Sequence, residues 1–142
     1  MTPRALRRDT NGSTAVEFAV VSGMLGLVLF GIIETSLLWW MKSGLQTTAA
    51  LTARCAAIGY SLATSTCKDT ASTQAYAVAT SQAWVFPNDI ATSNVTLNGR
   101  VTTCNGQSGT FFSLSINSSY FAFLPPPLSN ITLSTNACYA MP

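Results

Sequence analysis

The chain has 142 residues and a formal net charge of +2, and only 8% of its residues are charged, compared with about 25% in ordinary soluble domains. It contains no histidine, which removes the commonest general base, the usual Ser–His and Cys–His pairs and the commonest metal ligand. We therefore expect neither an enzyme nor a cofactor or metal site, and the weak charge argues against a nucleic-acid partner.

The chain begins with a short basic and polar segment, residues 1–12, followed by an apolar block at about 15–41. As a helix, residues 18–41 would be about 36 Å long, and a bilayer core is about 30 Å thick. The interface at the far end of the segment suits Trp39, Trp40 and Lys42. The cytoplasmic side of the membrane, at the near end, suits Arg4, Arg7 and Arg8. The pattern predicts a single-pass segment in the cytoplasmic membrane, with a cytoplasmic N-terminus and a periplasmic remainder.

Glu17 distinguishes this segment from a plain membrane anchor. A secretory signal peptide has a shorter apolar stretch of about 7–15 residues, and an ordinary anchor has no use for a carboxylate. An acid near the centre of a span costs about 2.5–3.5 kcal/mol on insertion scales. Gly12 lies five residues before Glu17, arginines precede it and the apolar block follows. This combination resembles the type IV prepilin processing site.

Two runs narrow the resemblance, Val-Glu-Phe-Ala at 16–19 and Phe-Gly-Ile-Ile-Glu at 30–34. They are similar to TadE-like minor pilins, or pseudopilins, of the bacterial tight-adherence (Tad, or Flp, type IV) pilus. The resemblance implies that a prepilin peptidase cuts between Gly12 and Ser13. It also implies that Glu17 pairs with the α-amine of a neighbouring subunit, which a buried carboxylate needs.

The resemblance further implies a role in the assembly of an adhesive pilus, within or at the tip of an extracellular fibre. The expected partners are the major pilin, other minor pilins, the assembly platform and the prepilin peptidase. Whether the subunit enters the fibre, caps it or only primes it stays open. The alternatives are a signal-anchored periplasmic binding or receptor domain and a membrane-bound hydrolase, for which the sequence offers no nucleophile and base.

Glu34 has two interpretations. It can lie near the outer membrane boundary and reach water, or it can contact another pilus component within the membrane, as intramembrane acids commonly do. The sequence favours a partner only slightly.

Helical spacing continues beyond Lys42 through Leu45, Ala49, Thr52 and Ala56. We expect one helix over 13–59 that ends near Gly59, a candidate C-cap. A second, shorter helix is predicted over 70–84, capped by Asp69. Its predicted inner face consists of Ala71, Ala75, Val78, Ala79 and Gln82.

From residue 94 onward the hydropathy period changes to two, which predicts three antiparallel strands. A turn is expected over 105–109, and prolines 125–127 separate the second strand from the third. Residues 121–125 resemble the apolar-proline stretch of TadE-like heads, for which we expect a packing role. The predicted inward positions of the three strands are Val95, Leu97, Gly99, Val101 and Thr103 in the first, Phe112, Leu114, Ile116 and Tyr120 in the second, and Ile131, Leu133, Thr135 and Ala137 in the third. The predicted fold is α+β: a leader (1–12), a pilin-like transmembrane helix (13–59) and a periplasmic head (60–142) with the short helix and the three-stranded sheet.

All four cysteines follow the predicted span, so they lie in the oxidising compartment, where two disulfides are expected. Four cysteines allow three pairings. We favour Cys55–Cys67, which closes the loop after the long helix. We also favour Cys104–Cys138, because both residues fall on the outer face and at the same end of the predicted sheet.

Overall fold

The computed structural model describes residues 11–60, 62, 65–83, 85, 90–121 and 130–141. The order of elements is α1 (Asn11–Gly59), α2 (Thr70–Ser81), a 3₁₀ turn (Thr92–Asn94), β1 (Val95–Cys104), β2 (Gln107–Phe121) and β3 (Asn130–Ala140). The three strands form one antiparallel sheet in the order β1-β2-β3, which confirms the α+β class. Contacts divide the chain into two compact units, one ending at Ser36 and the other beginning at Leu37.

The core of the second unit joins the C-terminal portion of α1 to one face of the sheet. The helix contributes a buried stripe that includes Met41, Leu45, Ala49 and Ala53. The sheet contributes buried side chains from β1 and β2: Val95, Leu114, Ile116 and Tyr120. The helical stripe becomes smaller toward its end, where Ala56 and Ala57 pack with Phe112. Small side chains let the helix backbone approach the large side chains of the strands.

The end of α1 depends on close packing around Gly59. Its φ is not among the positive values found in the described residues, so it is not a left-handed cap. A Cβ added there would lie 2.8 Å from the carbonyl oxygen of Cys67 and would also meet the Ser65 hydroxyl. That hydroxyl donates a hydrogen bond to the Gly59 carbonyl at 2.9 Å. Glycine is therefore required because the chain folds back against it.

Helix α2 begins where the sequence predicts but buries a different face. The Asp69 carboxylate accepts from the Ser72 N–H at 2.7 Å, and the Ser72 hydroxyl accepts from the Asp69 N–H at 3.1 Å. The helix ends at Ser81, and Trp84, the predicted end, lies outside the described residues. Its buried side chains are Thr73, Ala77 and Ser81.

The predicted inner face of α2 is therefore wrong, since Ala71, Ala75, Ala79 and Gln82 are exposed and Val78 is half-buried. The hydroxyls of Thr73 and Ser81 can be buried because each donates to a carbonyl of the preceding turn, of Asp69 and Val78 respectively. Hydrogen bonds of this kind, within the helix, allow Thr and Ser side chains to occupy buried positions.

The β1–β2 turn is tighter than predicted, because Asn105 and Gly106 alone connect the strands and both have positive φ. Two left-handed residues of this type form the two-residue hairpin turn that suits the twist of antiparallel strands. Gln107 already pairs with Cys104, so the remainder of the expected turn, 107–109, belongs to β2.

The burial of β1 alternates as predicted through Val101, and Thr103 is exposed, but the strand pairing shows that the predicted inner face is lost beyond Leu97. A register shift lies between Leu97 and Gly99, where Gly99 has a φ of +70°. An extra residue reverses the faces of the strand that follows. Val101 is consequently paired with Phe111 and shares its face, which is opposite to that of Leu97 and its partner Leu114. On β2 and β3 the predicted inward positions agree with the observed burial.

Candidate membrane segment and processing site

The N-terminal portion of α1 is apolar all round and almost entirely exposed. Side chains that differ in direction, such as Phe18 (74% exposed) and Leu27 (77% exposed), are equally open to the surroundings. Of the helices that the structure describes, one, Thr14–Gly59, is long and apolar enough to cross a membrane. A helix that is apolar on every side needs an apolar solvent. This helix fits a single-pass membrane anchor.

Gly12 and Ser13 lie in the first turn of α1, which begins at Asn11, two residues earlier than predicted. Nothing lies within 4 Å of a Cβ added at Gly12, so the fold itself does not require glycine there. The first four N–H groups of a helix have no intrahelical acceptor, and such ends fray easily. The basic residues before this turn, Arg4, Arg7 and Arg8, lie outside the described residues.

Glu17 is exposed on the helix, four residues after Ser13. Residues four apart lie on the same face of a helix, so the backbone nitrogen of Ser13 and the carboxylate of Glu17 share one side. The structure describes no salt bridge for Glu17. In an apolar solvent this side chain would need a cation.

Glu34 is 8% exposed, and it is the single buried side chain among those described from Gly12 to Trp40. The hydroxyls that follow it are also internally bonded. Thr35 donates to the carbonyl oxygens of Gly31 and Ile32 at 2.9 and 3.0 Å, and Ser36 donates to that of Ile32 at 2.7 Å. The hydroxyls of Thr35 and Ser36 are exposed but have their hydrogen bonds satisfied within the helix.

Beyond that turn, Trp39, Trp40 and Lys42 are all exposed. Their neighbours Leu38 and Met41 instead contact the core of the second unit. At the position of the predicted membrane interface, helix α1 therefore has one exposed, aromatic side and one side that packs in the core. Aromatic rings and a lysine amine suit the boundary between lipid and water.

The structure contains both expected disulfides and pairs Cys55 with Cys67 and Cys104 with Cys138. The first joins α1 to the loop before α2, as predicted. The second connects the two outer strands of the sheet, with a Cα–Cα distance of 6.4 Å.

The predicted position of the second pair, on the outer face and at the same end of the sheet, does not by itself explain this disulfide, because the strand register separates the two cysteines. Cys104 is opposite Gln107, whereas Cys138 is opposite Ser113, six residues along β2, or about 20 Å in a flat strand. The two register shifts of β1 let the hairpin bend back over the outer face.

A groove that the sequence did not indicate lies beside the first disulfide. Its volume is about 410 Å³, and its lining includes Leu51, Arg54 and Ile58 from α1 and Tyr76 from α2. The helix alone carries a faint signal, the seven-residue spacing of Leu51 and Ile58. The opposite wall forms because Cys67 anchors the loop that leads to α2. In the described part of the chain, no group of three or more His, Cys, Asp or Glu residues could hold a metal ion.

With this geometry in place, comparison with known proteins identifies the first third of the chain. The family model described as TadE-like protein matches residues 12–54, which confirms the resemblance seen in the sequence. A TadE-like segment indicates a pilin-like protein associated with the Tad pilus, and so with pilus components in general. No curated protein and no solved structure matches the chain significantly.

Proposed function

We propose that this protein is a minor pilin (pseudopilin) that a prepilin peptidase cuts between Gly12 and Ser13. It then takes part in the assembly of a tight-adherence pilus used for surface adhesion. One observation carries the proposal: the TadE-like match begins at Gly12 and covers the apolar helix whose side chains are exposed. The family signature and the surface that needs a membrane therefore coincide.

The distribution of charge and cysteine supports one orientation in the membrane. The arginines of residues 1–12 precede the apolar segment and favour a cytoplasmic N-terminus. Both disulfides follow the segment, and disulfides persist in the periplasm, which is oxidising. The head, residues 60–142, then faces the periplasm.

Cleavage requires the first turn of α1 to open, because a protease cleft binds an extended backbone. The Gly12–Ser13 bond lies where helical hydrogen bonding is weakest. Glycine further lowers the free energy needed to leave the helix and adds no side chain to the peptide that enters the cleft. The position of the bond suits recognition by a membrane peptidase at the cytoplasmic boundary.

The cut would create an ammonium group at Ser13, one helical turn from Glu17. In the isolated mature chain the two groups share a helix face and can neutralise each other. In an assembly, the amine of a neighbouring subunit would take over as the partner of Glu17. Because an unpaired carboxylate is costly in an apolar environment, this exchange would favour the correct axial position of a subunit.

Processing can be tested by intact mass and N-terminal sequencing of the protein extracted from its membrane. We expect a chain that begins at Ser13, and we expect Gly12→Glu to keep its leader because a carboxylate side chain blocks the cleft. Thr10→Glu is the matched control: it adds the same charge two residues upstream and should be cut. A Ser13 start that persists in Gly12→Glu, or in a strain without the peptidase, would refute the proposal.

A further inference from the structure

A shallow cleft lies on α1 where its apolar segment ends, and it is here named the boundary cleft. Its volume is about 270 Å³, and it is lined by Trp39, Lys42, Ser43 and Gln46. The last three follow Trp39 by three, four and seven residues, a spacing that places all four side chains on one helix face. All four are exposed, whereas the neighbouring Met41 packs in the core. The cleft is therefore open to whatever surrounds this level of the helix.

The polar groups of the boundary cleft have no partner within the part of the chain that the structure describes. Other hydroxyls of α1, such as those of Thr35 and Thr47, donate to carbonyl oxygens of the preceding turn. The Ser43 hydroxyl, the Gln46 amide and the Lys42 ammonium make no hydrogen bond or ion pair there. Each of these three groups is a hydrogen-bond donor, and one of them is positively charged.

The charges along this part of α1 favour an anion as the ligand. Residues 35–59 contain no acidic residue, and their only charged side chains are Lys42 and Arg54. Arg54 comes 12 residues after Lys42, which is about 18 Å along a helix. An ammonium group and two neutral donors on one face, without a carboxylate beside them, suit a phosphate or carboxylate group, because charge-assisted hydrogen bonds are the strong ones.

The depth of the boundary cleft identifies the source of this anion. Aromatic rings such as that of Trp39 lie at the boundary between hydrocarbon and headgroups. Lys42 and Ser43 are then about 4.5 and 6 Å farther along the helix, and the headgroup layer on one side of a bilayer is about 5–8 Å thick. Both side chains therefore lie at the level of the lipid phosphates, which a soluble anion would have to displace.

The neutral donors select among phospholipids. A zwitterionic headgroup carries an amine, for which the boundary cleft provides no carboxylate. A glycerol headgroup leaves the lipid with a net negative charge and carries hydroxyls, to which Ser43 and Gln46 can bond. Pockets for drug-sized ligands have volumes of about 300–1,000 Å³, so a cleft of about 270 Å³ suits a headgroup alone.

We propose that the boundary cleft binds the headgroup of an anionic phospholipid with a glycerol headgroup. Lys42 contacts the phosphate, Ser43 and Gln46 bond to the glycerol hydroxyls, and Trp39 covers the beginning of the acyl chains. This inference goes beyond the proposed function, since it requires only that α1 cross a membrane. It depends on neither the cleavage at Gly12 nor the assembly of a pilus.

Competition between lipids tests the charge at Lys42 with the full chain. The protein is placed in nanodiscs with equal amounts of phosphatidylglycerol and phosphatidylcholine and released into mild detergent, and native mass spectrometry counts the lipids that it retains. Lys42→Gln should lower the ratio of retained phosphatidylglycerol to phosphatidylcholine about fivefold, which corresponds to about 1 kcal/mol for a basic residue at an anionic surface. The arginines of residues 1–12 are present in every variant, so their own attraction for lipid cancels.

Arg54→Gln is the matched control for charge. It removes the same charge, but at a distance from Lys42 greater than the screening length of about 8–10 Å at physiological ionic strength. The lipid ratio should therefore stay at its parent value.

A second lipid separates a specific cleft from the diffuse attraction of one lysine. Phosphatidylmethanol has the same charge as phosphatidylglycerol but lacks the glycerol hydroxyls. The parent should retain phosphatidylglycerol about threefold better, as expected when a net hydrogen bond is gained, and Ser43→Ala or Gln46→Ala should reduce this preference. Thr47→Ala is the control, because the hydroxyl of Thr47 already donates to the Ser43 carbonyl; its preference should be unchanged.

Four outcomes would overturn the inference. They are an unchanged ratio in Lys42→Gln, an equal fall in Arg54→Gln, equal retention of phosphatidylglycerol and phosphatidylmethanol by the parent, and displacement of the bound lipid by soluble glycerol phosphate. The last would identify a site for a free anion. Each variant must keep both disulfides, so that misfolding is not mistaken for a lost lipid. A leader that persists in the native membrane would refute the proposed function and leave these ratios unchanged, so the two failures are distinct.

Discussion

The two portions of α1 show how one helix can be built for two solvents. From Thr14 to Ser36 the large apolar side chains point in every direction and are exposed, while one acid, Glu34, is buried. From Leu37 to Gly59 the buried positions form one stripe, and many of them are small, such as Ala49, Ala53 and Ala57. The first portion requires an apolar surrounding, whereas the second makes its own by packing on the sheet.

The difference also concerns what side chains do to the helix. In the first portion, the side chains need only be apolar, because exchanging one large apolar residue for another changes the free energy of membrane insertion little. In the second, shape matters, because alanines are matched to Phe112 and to the other large side chains of the strands. The same kind of substitution should therefore be tolerated in one portion of α1 and destabilising in the other.

The largest expected effect comes from adding charge to the first portion. Changing both Leu25 and Leu29 to Arg should cost about 5–7 kcal/mol of insertion free energy, from about 2.5–3.5 kcal/mol for each central arginine. The same pair of changes at Gln46 and Ala50, which are exposed positions of the second portion, should cost no more than about 0.5 kcal/mol each.

Extraction of membranes with alkaline carbonate measures this contrast. The arginine pair at 25 and 29 should release the protein from the membrane or leave it unprocessed, while the pair at 46 and 50 should remain as firmly bound as the parent. Equal behaviour of the two double variants would mean that the portions do not differ in solvent, and the comparison would fail.

Next in size is the effect of removing a disulfide, which should affect the head and leave membrane insertion unchanged. The chain-entropy relation gives about 4 kcal/mol for Cys104–Cys138 and about 3 kcal/mol for Cys55–Cys67, because the sequence separations are 34 and 12. Paired Cys→Ser variants, unfolded by denaturant in detergent, measure both values. A larger loss of unfolding free energy for the Cys55–Cys67 variant would show that fixing the loop after α1 contributes more to stability than loop length predicts.

A smaller pair of changes tests the packed stripe of the second portion. Thr48 and Thr52 are both fully buried, but only the Thr52 hydroxyl has a partner among the described residues, the Thr48 carbonyl at 2.7 Å. Thr48→Val should raise the free energy of unfolding by about 1 kcal/mol, because it removes an unpaired buried hydroxyl, and Thr52→Val should lower it by about 1 kcal/mol. The same denaturant titration measures both, and effects of the same sign would contradict this account of the stripe.

How far the sequence predicts these features depends on whether the cause is local. The span, the Asp69 cap, the Asn-Gly turn and the inward residues of β2 follow from periods and propensities that act over a few residues. The reversal of β1 at Gly99 and the face of α2 do not, since they depend on a bulge and on hydroxyls that find carbonyls within their own helix. The groove at Arg54 was missed because its second wall exists only once Cys67 is tied to Cys55.

The smallest expected effect is the pH dependence of the Asp69 cap, which belongs to the water-exposed part of the molecule. The Ser72 N–H that bonds the carboxylate, with smaller contributions from the Ser72 hydroxyl and Lys68, holds the pKa of Asp69 below its ordinary value of 3.8. A lowered folded-state pKa stabilises the head above that value, and the stabilisation is lost as the pH falls through the folded pKa.

Thermal unfolding of the parent and of Asp69→Ala, followed from about pH 7 to pH 2, should show a gap in Tm that is constant near neutrality. The gap should shrink below pH 3.8, because protonation removes the charge of the cap in the parent, whereas the substitution removes the whole capping side chain at every pH. Asp69→Asn is the control, since its amide oxygen still accepts from Ser72 but does not titrate. Its Tm should stay above that of Asp69→Ala by an amount independent of pH. A parent–alanine gap that persists unchanged at pH 2 would show that the charge of Asp69 contributes nothing to the head.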